Sequence, residues 1–387
     1  MTHYDAIVIG AGSVGTPTTY FLAVEGMKVL CLDPNSSSGQ GQNKAAIGGV
    51  RATHSDPAKI ELGKESLKVF SSWEDDTGDT IGWKKGGYCF PAYRESEEEI
   101  LKSALPMQKR HGLKIDWVDA DGIRETVSGI NPENLIGGTL SPDDGQASPL
   151  LAAESFAGQA KKSGADFHYR EEVVGLDTEG SRIVAVRTTR ERYTSDFVVN
   201  TAGAKASNVC KMAGVTIPVN PDSHEAGVSA PLKPFLGPLV VDLRPGLEGQ
   251  TANFYFGQNS EGSIVFCYTP RQIFLGENRE PTSEFMPIIA RRLTDVIPRF
   301  KNLWIRRLWR GLYPMTPDGI PVIDRAPGYD NFLLGIGMCG QGFMLGAGVA
   351  KNIANWIAKG RPLLQPEVAA TVAANRDFYK AKKEALK

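Results

Sequence analysis

The sequence predicts an α/β fold, in which a Rossmann-type domain is joined to a second, β-rich (α+β) domain. Three observations support this. A complete strand, Gly-rich turn, helix and strand fits within the first 34 residues; β-rich runs dominate residues 218–307; and a strand, Gly-rich turn and long helix return near the end. A chain of 387 residues is too long for one simple core and suggests two domains of ordinary size.

The first element is the apolar run at residues 6–9, bounded by Gly10, whose shortness and β-branched content suit a buried parallel strand. A helix is expected over 14–24, closed by Gly26 where a left-handed cap is usual. A second strand, 28–32, ends at Asp33 and Pro34. The polar stretch 35–49 (NSSSGQGQNKAAIGG) is Gly- and Ser-rich, and loops of this kind so close to a βαβ unit usually have a function. From 83 to 144 the pattern changes, with an acidic helix at 95–111 between strand-like pieces. A helix at 150–164 precedes strands at 166–176, 182–189 and 197–200; further strands fall at 253–257 and 263–269. A strand at 332–337 leads to a helix at 342–358, and the polar residues past Pro366 are expected to form a surface helix. No internal repeat or low-complexity tract is visible. The resulting division is a discontinuous cofactor-binding domain (1–82, 145–217 and 308–387) and a substrate-binding domain (83–144 and 218–307).

Composition narrows the function. Hydrophobic residues are 41% and charged residues 22%, as in a soluble globular protein. Forty-three basic residues offset 44 acidic ones, so nucleic acid is not an expected partner. Five scattered cysteines without a CxxC pair, and five histidines without a cluster, argue against a disulfide framework or a metal site. The N-terminus lacks a basic flank and a cleavage site, and no apolar run approaches the roughly 20 residues needed to span a bilayer. A cytoplasmic protein with no membrane span is expected.

Gly10, Gly12 and Gly15 form GxGxxG within GAGSVG, between a strand and a helix. Gly10 permits the tight turn, Gly12 lets the backbone approach a pyrophosphate, and Gly15 allows close helix–strand packing. With Ser13 and Val14 they open a helix whose free N–H groups and partial positive charge suit phosphates. Asp33 can accept hydrogen bonds from ribose hydroxyls, and Pro34 follows it. These features mark a dinucleotide site without separating FAD from NAD.

Three further segments join the fingerprint in a resemblance. They are AAIGGVR (45–51), FVVNTAGAKA (197–206, with Val173 and Val174 before it), and RGLYPMTPDGIPVID (310–324) followed by GIGMCGQGFMLGAG (335–348). Together they resemble the D-amino-acid oxidase superfamily of FAD-dependent oxidoreductases, and within it the group of sarcosine oxidase, glycine oxidase and the proline dehydrogenase β-subunit, over residues 5–360. The resemblance implies FAD as cofactor. It places Lys44, Ala45, Gly48, Gly49 and Val50 along the flavin loop, Val174 on the strand whose backbone meets the adenine, Thr201, Ala202 and Gly203 on the strand and turn that return to the FAD, and Gly311, Gly340, Gln341, Gly342, Phe343 and Met344 over the ring. A helix N-terminus near Gly342 also suits the negative charge of a reduced flavin on physical grounds.

In the resembled enzymes a substrate C–H faces flavin N5 and leaves as hydride, the protein supplying orientation and electrostatics. Arg51 falls where sarcosine oxidases have an arginine near flavin and substrate, so it would anchor a substrate carboxylate or polarise the ring; a structural ion pair is its other reading. Tyr313 stands at a substrate-facing position where glycine oxidases carry a carboxylate-binding arginine. Tyr88, Tyr255 and Tyr268 sit on expected strands, where they could line the pocket or be half-buried in a sheet. Arg310 and Arg271 are alternative anion partners. His54 and His224 read as ordinary polar residues, and Cys339 as an apolar filler near the ring. Three departures matter. Gly311 aligns with the cysteine that tethers flavin in monomeric sarcosine oxidase, which implies non-covalent FAD. Val265 aligns with its oxygen-activating lysine, which points to a dehydrogenase. Met344 replaces its carboxylate-binding lysine. The expected function is FAD-dependent oxidation of the C–N bond of a small secondary or N-substituted amino acid (sarcosine, dimethylglycine or proline type). Oxidation of a 2-hydroxy acid or glycerol 3-phosphate, or a role as flavin subunit of an electron-transfer complex, are the alternatives; the partners expected are this amine and an electron-acceptor subunit or further copies of the chain.

Overall fold

The computed structural model describes residues 2–246, 249, 251–380 and 386. Two eight-stranded sheets organise it. In the first, the apolar strand His3–Ile9 is central, pairing in parallel with Val29–Asp33 on one side and Arg192–Asn200 on the other; Val8 faces Cys31 and Val199. Asp166–Tyr169 extends the sheet beyond Val29–Asp33, while Phe332–Ile336 and the antiparallel Val322–Arg325 extend it at the other edge.

Side-chain alternation along the central strand explains why this run is apolar throughout. Ala6 and Val8 pack with Leu22, Leu62 and Val349 from helices Gly15–Val24, Pro57–Thr77 and Gly342–Lys359. Ile7 and Ile9 pack on the other face with Val209 and Cys210 of helix Ala206–Met212. Helix Gly342–Lys359 lies close enough to Pro57–Thr77 that a Cβ on Gly348 would come within 2.0 Å of the Leu62 carbonyl, so only glycine fits.

Several expected elements appear with small shifts: the helices at Glu95–Arg110 and Pro149–Lys162 and the strands at Arg182–Thr188, Thr251–Gln258 and Ser263–Pro270. Others differ. The single strand expected over 166–176 is two strands, Asp166–Tyr169 and Val173–Glu179, separated by Arg170 at φ +54°. The 21-residue helix Pro57–Thr77 has no counterpart among the expected elements. Its start carries a helix signal: Asp56 accepts from the Lys59 N–H at 3.0 Å with Pro57 in the first turn, and Gly78 closes it at φ +76°. Helix Phe285–Val296 likewise sits within the stretch read as β-rich. Past Pro366 the described helical pieces are short, Pro366–Ala369 and a 3₁₀ turn Ala370–Val372.

The second sheet runs in the order Ile305–Met315, Asn220–Pro231, Ser263–Pro270, Thr251–Gln258, Leu239–Asp242, Tyr88–Ala92, Gly137–Ser141, Asp116–Asp119. Phe254, Phe256 and Phe266 face helix Phe285–Val296 on one side. The alternate residues, Tyr255 opposite Cys267 and Val241, face the other way. Strand Ile305–Met315 pairs with Asn220–Pro231 over its whole length, so the domain boundary expected at 308 falls inside a strand of this sheet. A two-stranded ladder, Gly49–Val50 with Gly145–Gln146, joins two segments of the expected cofactor-binding domain. Among the described residues, no helix is long and apolar enough to cross a membrane, and all five cysteines are free and buried.

Candidate active site

A cavity of about 520 Å³ runs from the glycine-rich turn, past the N-terminus of helix Gly342–Lys359, to the inward face of the second sheet. Its size and mixed lining are those of a site for a cofactor with a small substrate.

At the dinucleotide end, Gly10 stands at φ +106° and a Cβ there would lie 2.7 Å from the Thr201 carbonyl. Gly15 packs rather than lines the cavity, since its Cβ would meet the Gly10 carbonyl at 1.7 Å. Gly12 lines the cavity with nothing within 4 Å of its Cβ position, an open approach for a phosphate. Ser13, Val14 and Pro34 also line it, as do Thr201, Ala202 and Gly203. Asp33 is nearly buried: Oδ2 accepts from the Ala11 N–H at 2.7 Å, while Oδ1 accepts from the Asn35 N–H and side-chain amide at 2.8 Å. The turn thus holds the carboxylate in place at the cavity wall.

At the other end lie Ala45, Gly48 and Gly49 from the Gly-rich loop, Gly311, and Gly340 to Met344 at the helix start. Gln341 Oε1 and Asn43 Oδ1 are buried acceptors with no hydrogen-bond partner among the described residues, and both residues line the cavity. Buried acceptors of this kind are costly unless a ligand donates to them. A cradle that a Cβ would fill at Gly10, open backbone at Gly12 and two orphaned acceptors fit a dinucleotide whose ring edge carries N–H and whose ribose carries O–H. Cys339 (φ +50°) lines the same end. Its thiol is hydrogen-bonded to Thr316 and to the Gly337 carbonyl rather than serving as plain apolar filler.

Arg51 is buried (4% exposed) at the second-sheet end. Its Nη1 donates to the Thr53 carbonyl and its Nη2 to the Leu386 carbonyl at 2.5 Å, with the guanidinium 5.4 Å above the Phe90 ring. Beside it lies Asp144, which accepts from the Ala52 N–H at 3.0 Å. Burial pushes the Asp144 carboxyl up to about 7 against the opposing pull of that N–H and the Arg51 charge. Tyr313 and Tyr255 share a 2.7 Å hydrogen bond between their hydroxyls, and Tyr255 donates to Cys267 Sγ at 3.0 Å. Burial raises both phenols well above the ordinary tyrosine range, so both stay protonated.

The site also contains groups that the sequence reading passed over. His224 stacks on Tyr313 with ring centroids 3.8 Å apart, and its Nε2 lies 3.3 Å from Asp222 Oδ2. Burial pulls the Asp222 carboxyl up, but the His224 contact and two backbone N–H groups outweigh it and hold it below the usual carboxylate range. His224 is therefore not an ordinary polar residue; it is buried behind the tyrosine pair with a carboxylate partner. Leu239 and Val241 supply an apolar wall beside Tyr88, which lines the cavity as its strand position allowed. Sequence proximity could not reveal these placements, because register across Asn220–Pro231 and Ile305–Met315 brings Asp222 opposite Tyr313.

Other expected residues lie elsewhere. Tyr268 is turned to the opposite face of its strand, stacked on Phe285 at 5.1 Å, because alternation puts Cys267 inward. Arg310 alternates away from Gly311 in the same manner, donating to the Glu280 carbonyl over the Phe274 ring. Arg271 is exposed and donates to the Thr251 carbonyl. Val174 is 48% exposed, and its neighbour Val173 lines the cavity instead. Lys44 is exposed, and Val50 is buried in an apolar cluster with Phe70 and Phe343, so neither lines the cavity.

Comparison with known proteins agrees with this geometry. The sarcosine oxidase subunit beta of Rhizobium meliloti is 26% identical over 370 residues, covering 93% of this chain and 86% of that protein. Human mitochondrial dimethylglycine dehydrogenase is 24% identical over 92% of this chain, which spans only 43% of that longer protein. The solved L-proline dehydrogenase from P. horikoshii superposes with a TM-score of 0.89 at 28% identity, covering 98% of each chain. The family model described as FAD dependent oxidoreductase (DAO) matches residues 5–356. With the turn, the loop and the closing helix gathered around one cavity, the chain belongs to this family of FAD-dependent oxidoreductases and is an oxidase or dehydrogenase.

Proposed function

We propose that the protein oxidises the C–N bond of a small secondary or N-substituted amino acid of sarcosine, dimethylglycine or proline type. The observation that carries this is a buried arginine, Arg51, set at the cavity wall together with a buried, protonated tyrosine pair. FAD, when bound, supplies the two-electron acceptor for the C–H hydride. The chain's own residues do the rest. Arg51 takes the substrate carboxylate through charge-assisted hydrogen bonds. Tyr313 and Tyr255 orient the amine, and His224 with Asp222 fixes the Tyr313 ring. The apolar wall of Leu239 and Val241 beside Tyr88 excludes water from the reacting bond.

Val265 supports a reading of the electron acceptor, through the resemblance that aligns it with the oxygen-activating lysine of monomeric sarcosine oxidase. This apolar side chain stands opposite Gly257 in the sheet register, on the same side as Tyr255. A cation near the ring would favour superoxide formation, and valine offers none. A dehydrogenase that passes electrons to a partner protein is therefore favoured over a fast oxidase; the human relative is named a dehydrogenase, while the Rhizobium meliloti relative is named as one subunit of an oxidase.

Anaerobic mixing of the yellow protein with N-methyl amino acids, proline, glycine and hydroxy acids tests the substrate class. Bleaching of the flavin band by an amine supports the reading; bleaching by hydroxy acids alone defeats it. Arg51→Met should then raise KM by roughly ten- to a hundredfold, from a lost charged hydrogen bond worth about 1.5–3 kcal/mol. Unchanged kinetics would remove Arg51 from the site.

A further inference from the structure

Leu386 occupies the place beside Arg51 where a substrate carboxylate is expected. It is 2% exposed and belongs to one apolar cluster with Tyr88, Phe90, Leu101, Leu239 and Val241. Its main-chain carbonyl accepts the 2.5 Å hydrogen bond from Arg51 Nη2, a contact spanning 335 residues of sequence. Arg51, Tyr88, Leu239 and Val241 also line the cofactor cavity, so the seat of this leucine is continuous with the active site. An oxygen acceptor on a guanidinium, with an isobutyl group in an adjoining apolar hole, is the recognition pattern of an aliphatic carboxylic acid.

We infer that, within the proposed class of secondary and N-substituted amino acids, this seat favours one whose carboxylate carries a branched aliphatic group over sarcosine or dimethylglycine themselves, and that Leu386 fills it as an internal stand-in which such a substrate displaces. The inference rests on the reading that Arg51 takes the substrate carboxylate. Leu386 offers a neutral carbonyl, whereas a carboxylate makes charge-assisted bonds roughly twice as strong. Both occupants bury a leucine-sized group in the same hole. Leu386 has the advantage of being tethered, which raises its effective concentration. The charge of the carboxylate is what tips the exchange. A carboxylate too small to fill the hole would leave an apolar void and bind less well.

The probe is 3-methylbutanoate, which combines a carboxylate with an isobutyl group and has no amine to oxidise, with acetate as the small control. Calorimetric titration of both into the flavin-loaded protein and its Leu386→Ala variant is the test. We expect 3-methylbutanoate to bind at least tenfold more tightly than acetate. We expect its affinity to rise in Leu386→Ala, by about tenfold if Leu386 is seated nine-tenths of the time. Equal or weaker binding by the variant, or equal affinity for acetate, overturns the inference. Failure of 3-methylbutanoate to bind either protein overturns it together with the Arg51 clamp. Flavin that no amine bleaches would defeat the proposed function alone, leaving the titration result standing.

Discussion

Gly12 and Gly15 stand three positions apart in one motif, yet they should fail differently when replaced. The Cβ position of Gly12 is open to the cavity, so Gly12→Val should fold normally and lose the flavin. That of Gly15 lies 1.7 Å from the Gly10 carbonyl, so Gly15→Val should not fold. Far-ultraviolet circular dichroism and flavin absorbance on the two purified variants separate these outcomes, and a colourless, unfolded Gly12→Val would contradict the first. Asp144 yields a pH prediction. Its folded-state carboxyl is raised to about 7 by burial, so its stability contribution is complete below the unfolded value near 3.8 and is lost as pH rises through about 7. Between pH 5 and 7 the wild type should lose up to about 1.4 kcal/mol per pH unit from this group. Asp144→Asn should flatten that slope in urea denaturation measured at several pH values. An identical slope in both proteins would assign it to other groups.

At the scale of elements, the segment 271–284 is tied to strand Asn220–Pro231 by two carboxylates. Asp222 Oδ1 accepts from the Phe274 N–H at 2.7 Å, and Glu225 accepts from the Thr282 N–H at 2.6 Å and hydroxyl at 2.7 Å. Glu277 on the same segment reaches Lys205 at 2.7 Å, where both side chains are about half exposed. An exposed pair of this kind contributes at most about 1 kcal/mol, whereas a buried carboxylate serving backbone N–H groups contributes more. Limited proteolysis should therefore cut Asp222→Ala within 271–284 much faster than wild type and leave Lys205→Ala nearly unchanged. Equal cutting of all three would show that Asp222 does not anchor the segment. Asp222 also faces His224, so the variant should slow flavin reduction as well.

At the scale of the molecule, residues from both sheets meet at one cavity, so cofactor and fold should be thermodynamically linked. FAD in thousandfold excess over Kd stabilises the native state by about 4 kcal/mol. The melting temperature should climb with added FAD, and a value independent of FAD would break the link. Gly311 offers no side chain for a covalent tether, so acid precipitation should release all the yellow colour into the supernatant; colour retained in the pellet would refute a dissociable cofactor.

The sequence by itself determined the βαβ unit, its phosphate turn and the family that implies FAD, because each rests on local spacing: glycines at fixed offsets, a strand too short and too apolar for a surface, an acid at the next strand end. It also contained a readable start for Pro57–Thr77 in Asp56 and Pro57, and a stripe at helical spacing in Ala58, Leu62, Val69, Phe70 and Trp73, broken by the polar Ser66. Only the tertiary structure decided which residues meet at the site. Tyr255 and Tyr268 look alike on their strands, and the inward face belongs to Tyr255 because the register sets Cys267, not Tyr268, beside it. Strands apolar on both faces carry no alternation from which that parity could be read. His224 behind Tyr313, and Leu386 at Arg51, are contacts between segments 89 and 335 residues apart, which no local pattern encodes.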